Sequence, residues 1–118
     1  MREDIYWVCI FDVKPEQFAA FEEVVAPLVA ATRQEPGALA YEYSVSADHA
    51  TVQIVERYRD SDAVVSHVQQ TFAKFEERFS ALATLKSFVL CGAPSAEARK
   101  IVDGFGAVYM TPFDGFTR

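Results

Sequence analysis

The chain has 118 residues, 51% hydrophobic and 14% aromatic, with 11 Lys and Arg against 17 Asp and Glu, for a net charge of −6. This length suits one domain with a real core, and the apolar content excludes intrinsic disorder. An acidic chain without a basic cluster excludes nucleic acid, whose phosphates supply most of such affinity, and it offers anionic lipid no basic face.

Ile5 to Val13 is rich in β-branched and aromatic residues and predicts a strand. Lys14-Pro15-Glu16 suits a helix start, where Pro loses no bond and an acidic side chain meets the positive helix end. From Pro15 to about Thr32, Phe18, Phe21, Val25, Leu28 and Val29 recur at helical spacing, with a kink or a broken turn expected at Pro27. Glu35-Pro36-Gly37 breaks the pattern. Ala38 to Ser46 then alternates, with Leu39, Tyr41, Tyr43 and Val45 on one face. Ala47-Asp48-His49-Ala50 connects it as a hairpin to Thr51–Arg59, where Val52, Ile54, Glu56 and Tyr58 share a face.

Asp60-Ser61-Asp62 offers short polar caps for a helix running to about Ala83, with Val64, Val68, Phe72, Phe75, Phe79 and Leu82 as its apolar stripe. Thr84 to Gly92 reads as a fourth strand, Ser95 opens a short helix, and Gly106 to Arg118 is an aromatic, turn-rich tail. The order β-α-β-β-α-β is the ferredoxin-like plan, an α+β fold with both helices on one face of a four-stranded antiparallel sheet. No helix is left for the opposite, partly apolar face. Soluble monomers avoid large apolar patches, so a homodimer joined sheet to sheet is expected. The tail is expected across a groove or on the partner chain.

Two segments carry a resemblance. Glu35-Pro36-Gly37-Ala38-Leu39-Ala40-Tyr41-Glu42-Tyr43 resembles the "E-P-G, alternating, Y" segment of the antibiotic biosynthesis monooxygenase family. Glu56-Arg57-Tyr58-Arg59-Asp60, continuing through Ala63 to His67 and on to Phe72 and Phe75, is similar to its "E, aromatic, D, A, H" segment. The resemblance covers residues 5–92, and the tail is similar to an extension of some members. It implies a dimeric α+β barrel and, in one branch, oxidation of quinols or phenolic compounds by O2 without a bound cofactor. A heme-degrading branch uses an Asn, a Trp and an iron-binding His. This chain has no Asn and carries Glu76 where that His belongs, so heme is set aside.

His67 falls about 95° from the centre of its helix's apolar stripe, at the edge, where an imidazole can serve a cavity mouth as a proton carrier. It also reads plainly as a half-exposed histidine bonded to a neighbour. Glu56 on an apolar strand face needs a partner or a raised pKa, and serves either as base or anchor or as a structural hydrogen-bonding group. With Tyr58 these form the catalytic candidates. Trp7, Tyr41, Tyr43, Phe72 and Phe75 are candidates for binding a small aromatic substrate, and each also serves as core filling.

Other chemistries fail on inventory. His49 and His67 lack metal-ligand spacing, and no phosphate loop, dinucleotide fingerprint or nucleophile elbow occurs. Val24 to Ala31 is too short to span a bilayer, and Met1-Arg2-Glu3-Asp4 does not open a signal peptide. Cys9 and Cys91 then read as free, buried thiols of a cytoplasmic protein. The expected activity is a cofactor-independent monooxygenase acting on a small quinol or phenol with O2. The alternative is a non-catalytic small-molecule-binding or stress-related dimer.

Overall fold

The computed structural model describes residues 3–118, so Met1 and Arg2, part of the acidic start read above, lie outside the described residues. The elements in chain order are β1 (Ile5–Val13), α1 (Phe18–Arg33), β2 (Ala38–Val45), β3 (Thr51–Tyr58), α2 (Ser61–Ser66), α3 (Glu76–Leu82), β4 (Ala83–Cys91), α4 (Ala96–Asp103) and β5 (Val108–Met110). Among the described residues these strands form one sheet in the order β2-β3-β1-β4-β5. The first four pair antiparallel, as the ferredoxin-like plan requires. A fifth strand corrects the expected four: β5 runs parallel to β4, so the sheet is mixed. Parallel neighbours need a crossover, and α4 supplies it.

The inward sheet face carries Ile5, Trp7, Cys9 and Val13 from β1, Val52, Ile54, Glu56 and Tyr58 from β3, and Phe88 and Leu90 from β4, all buried. Phe21, Val24 and Leu28 of α1, Val64 of α2 and Phe79 of α3 close on them to make one core. Phe79 joins the layers, its ring meeting Phe11, Phe21 and Phe72 edge-on at 5.2, 5.1 and 5.3 Å.

α1 runs unbroken through Pro27. The proline sits on the exposed face with Glu23 one turn before it, so the carbonyl left without an amide partner faces water. In β2 the register shifts between Ala38 and Ala40, which takes Leu39 out of the face shared by Tyr41 and Tyr43. Val45, near the strand's end, is exposed as well.

The long second helix departs most from expectation. α2 ends at Ser66, a π-helical turn spans His67–Thr71, a 3-10 turn spans Phe72–Lys74, and α3 starts afresh at Glu76. A π turn holds one more residue per hydrogen-bonded ring than an α turn, so the 100° arithmetic behind a single stripe does not hold through it. The tail divides: Val108–Met110 joins the sheet, while Phe113 and Phe116 beyond it are exposed.

Candidate functional site

Strand register brings the polar residues into line. In one row across the sheet, Tyr41 pairs with Glu56 and Glu56 with Trp7; in the next, Tyr43 pairs with Ile54 and Ile54 with Cys9. Side chains two apart on a strand share a face, so both rows point at the helices. Above them is an apolar cavity of about 120 Å³, lined among others by Trp7, Cys9, Tyr41, Tyr43, Glu56, His67, Phe72 and Phe105. Glu76 and Ser80, both exposed, lie at its outer side.

His67 is only 2% exposed, not half-exposed at a stripe edge. Its ring lies 5.1 Å from Tyr41, 5.2 Å from Tyr58 and 6.5 Å from Phe72, measured between centroids. Nδ1 is 2.9 Å from Glu35 Oε2, and Nε2 is 3.7 Å from Glu56 Oε1. An ionised carboxylate only accepts, so with Glu35 ionised Nδ1 carries the proton of that bond, and in the neutral ring Nε2 keeps its lone pair.

Two local features bring Glu35 to His67. Asp60 caps α2 by accepting from the Ala63 amide at 2.9 Å, which fixes where the helix starts. Gly37 lets the Glu35-Pro36-Gly37 turn lie against that start, since a Cβ on Gly37 would stand 2.6 Å from Ala63 Cβ. Gly37 O also accepts from the Arg59 amide at 2.8 Å.

Glu56 is buried, and desolvation pushes its carboxyl above the ordinary range, while His67, Tyr58, Trp7 and Cys9 partly offset this by favouring the charged form. Tyr58 donates to Glu56 Oε1 at 2.6 Å, and Cys9 Sγ lies 3.8 Å from Oε2. The Trp7 indole N–H approaches Glu56 without reaching hydrogen-bond geometry, so Nε1 is a buried donor without a partner. Tyr41 and Tyr43 join hydroxyl to hydroxyl at 2.8 Å. Burial, with Glu56 nearby, pushes both phenols and the Cys9 thiol far up, so these three groups stay protonated.

The structure therefore brings together His67, Glu56, Trp7, Tyr41, Tyr43 and Phe72. Tyr58 does not line the cavity; it is fully buried behind Glu56, and its hydroxyl, held far above its ordinary pKa by burial and Glu56, acts as a donor and not as a base. Phe75 does not line it either and lies under the Arg78 guanidinium, 5.5 Å away, because the helix break turns it from the stripe. Sequence reasoning missed Glu35, Cys9 and Phe105. Glu35 stands in the family segment, but in the sequence Glu35-Pro36-Gly37 signals only a break between helix and strand. Among the described residues no group of three or more His, Cys, Asp or Glu is arranged to hold a metal ion, and no helix is long and apolar enough to cross a membrane.

A family model for antibiotic biosynthesis monooxygenase matches residues 5–78. The chain belongs to this family. The matched stretch holds Glu35, Glu56 and His67, so the polar cluster is built within the family's own domain. None of the curated proteins is a significant match. Among solved structures the chain is similar to MupZ from Pseudomonas fluorescens, at 20% identity and a TM-score of 0.86, over 100% of this chain and 91% of that one. It is similar to SnoaB, a cofactor-independent oxygenase from Streptomyces nogalater, at 23% identity and a TM-score of 0.65, over 80% and 96% of the two chains. Rv0793 from Mycobacterium tuberculosis matches at 24% identity and a TM-score of 0.65, over 80% and 98%. At these identities the likenesses concern the fold.

Proposed function

We propose that this family member is a monooxygenase that oxidises a small quinol or phenol with O2 and uses no bound cofactor. The observation that carries the reading is His67, tied at Nδ1 to Glu35 and standing in the wall of an apolar, aromatic-lined cavity. O2 is a spin triplet and reacts slowly with closed-shell molecules, so without a cofactor the substrate itself must supply electrons. A quinol does so once deprotonated. His67 Nε2 takes the phenolic proton, and Glu35 steadies the imidazolium that forms. Glu56 and the Tyr41–Tyr43 pair offer hydrogen bonds to the substrate's oxygens. The apolar wall keeps the anion with O2 and away from water. The balance for hydroquinone is hydroquinone plus O2 giving hydroxyquinone plus water: one oxygen atom enters the ring, and the substrate provides all four electrons.

Base catalysis of this kind is worth on the order of 10²–10⁴-fold. O2 uptake with simple quinols tests the reading. We expect uptake with the native chain and a loss of that order in His67→Ala, and an unchanged rate in the variant removes His67 from the mechanism. The same proposal makes the protein a cytoplasmic homodimer. Its unpaired Cys9 and Cys91 fit a reducing compartment, and its outer sheet face calls for a partner. A second reading, a small-molecule-binding protein without turnover, is favoured by the protonated state of Cys9, Tyr41 and Tyr43, which leaves few bases around the cavity. Bound phenol with no O2 uptake would decide for it.

A further inference from the structure

We infer that Phe105, supplied by the chain beyond the family-matched segment, sets the size limit of the cavity and restricts it to ligands of one aromatic ring. The inference takes its ligand class, phenols and quinols, from the oxygenase reading; the size limit stands on geometry alone.

The first observation is volume. Engineered apolar cavities of roughly 150 Å³ take up benzene. At about 120 Å³ this cavity is on the one-ring scale, and a second fused ring must displace a wall or project through its open side past Glu76 and Ser80.

The second is which wall closes it. The family match ends at residue 78, while Phe105 lies in the connection between α4 and β5. Its ring stacks on Phe88 with centroids 5.8 Å apart and planes 9° apart, and meets Phe72 edge-on at 6.4 Å. Phe88 in turn packs on Trp7 at 5.0 Å. Phe105 is thus the outer ring of a column of three. Trp7, at its inner end, stands beside Glu56 in the strand register. Phe105 is itself only partly buried, with the cavity on one side.

The third is that the wall is held, not loose. Ser95 opens α4 with its amide bonded to Ser61 Oγ at 2.8 Å, tying the segment to α2. Ala98 and Val102 are completely buried. The Phe105 and Ala107 amides both bond to Val102 O, at 3.0 and 3.3 Å, and β5 then pairs with β4. These bonds fix the backbone that carries the ring, and the ring itself packs on Phe88 and Phe72, so its removal is the direct way to enlarge the site.

Binding tests this independently of turnover. Trp7 is the only tryptophan in the chain, so its indole N–H gives a single NMR cross-peak at the cavity wall. Titrations with phenol and with 1-naphthol, followed by that peak and by calorimetry, give the expected pattern. The native chain binds phenol and discriminates against 1-naphthol by roughly tenfold or more, the scale of steric selection in apolar pockets. Phe105→Ala raises 1-naphthol affinity relative to phenol affinity by a similar factor, so that the native preference is lost. Phe105→Leu, which keeps most of the packing, falls between the two and serves should the alanine variant not fold. Equal affinity of the native chain for both ligands, or no gain in either variant, overturns the inference. A native chain that binds phenol selectively but consumes no O2 with any quinol overturns the oxygenase reading and leaves the size limit standing. One that consumes O2 and binds both ligands alike does the reverse.

Discussion

Glu35 Oε2 and His67 Nδ1 lie 2.9 Å apart, across 32 residues of sequence. The bond ties the turn before β2 to the end of α2 and decides which imidazole nitrogen faces Glu56. Glu35→Gln keeps the size of the partner and removes its charge. An amide can donate to Nδ1 as readily as accept from it, so the tautomer is no longer imposed. The expected result is a fall in quinol-dependent O2 uptake on the order of 10²-fold, within the usual span of acid–base effects. Thermal stability should change less than the rate, because the amide keeps the shape of the carboxyl and can still bond Nδ1. Nitrogen NMR of the histidine ring, read beside the rate, separates a tautomer effect from a general loss of structure. An unchanged rate would show that this bond only braces the fold.

Gly37 and Ala63 meet so closely that a Cβ on the glycine would stand 2.6 Å from the alanine's Cβ. Both neighbours are backbone-borne and cannot swing aside. Gly37→Ala should therefore push the Glu35 turn away from α2, at a cost of about 1–3 kcal/mol, typical of overpacking. Ala63→Gly in the same chain removes the atom it strikes and should restore much of the loss. Urea denaturation of the single and double variants checks this. A single variant as stable as the native chain contradicts the contact.

Glu56 has a pH signature. Burial raises its folded-state pKa above the ordinary 4.5. A group shifted this way favours the folded state most at pH below its unfolded pKa, and that contribution is lost as pH rises through the folded pKa. His67, Tyr58, Trp7 and Cys9 face the carboxyl and reduce the shift without reversing it. Glu56→Gln stays neutral at every pH and can still accept from Tyr58. Relative to the native chain, the variant should gain stability as pH climbs from about 4 towards neutrality, each tenfold difference in proton affinity being worth about 1.4 kcal/mol. Denaturation curves at several pH values measure the difference. A gap that stays constant with pH would mean that the two states bind this proton equally.

How far these relationships could be read beforehand differs by element. β1 occupies Ile5–Val13 as expected, because a run of β-branched and aromatic residues leaves little choice. The hairpin and the inward face of Val52, Ile54, Glu56 and Tyr58 also follow from period-two alternation alone. His67 stands in the cavity wall, in keeping with one of its two readings, but lies deeper than a stripe edge allows because π and 3-10 turns reset the faces at His67–Lys74. β5 was invisible for another reason. Val108–Met110 is too short to show a period, and its partner in β4 lies across the α4 crossover. Glu35 and Phe105 sit in connections, where no periodicity marks a side chain as facing inward. Their roles exist only once the tertiary contacts form.

The outer sheet face bears on assembly. β-alternation turns Val8, Ile10, Val55 and Val89 away from the helices, and all four are partly buried in the single chain, with no helix above them among the described residues. Beyond β5 the chain runs past this face and bounds an open groove of about 780 Å³, with Tyr6, Val55 and Arg57 on one side and Phe113 and Phe116 on the other. Those two rings are 97% and 79% exposed, which is unfavourable for a lone chain in water. A second copy meeting this face would cover valines and rings together, and two-fold symmetry gives each chain the same benefit. Val55→Lys puts a charge at the centre of that face without touching the helix side. The native chain should sediment as a dimer, and the variant should shift towards monomer with its far-UV spectrum intact. A native chain that sediments as a monomer at micromolar concentration would exclude the sheet-to-sheet assembly.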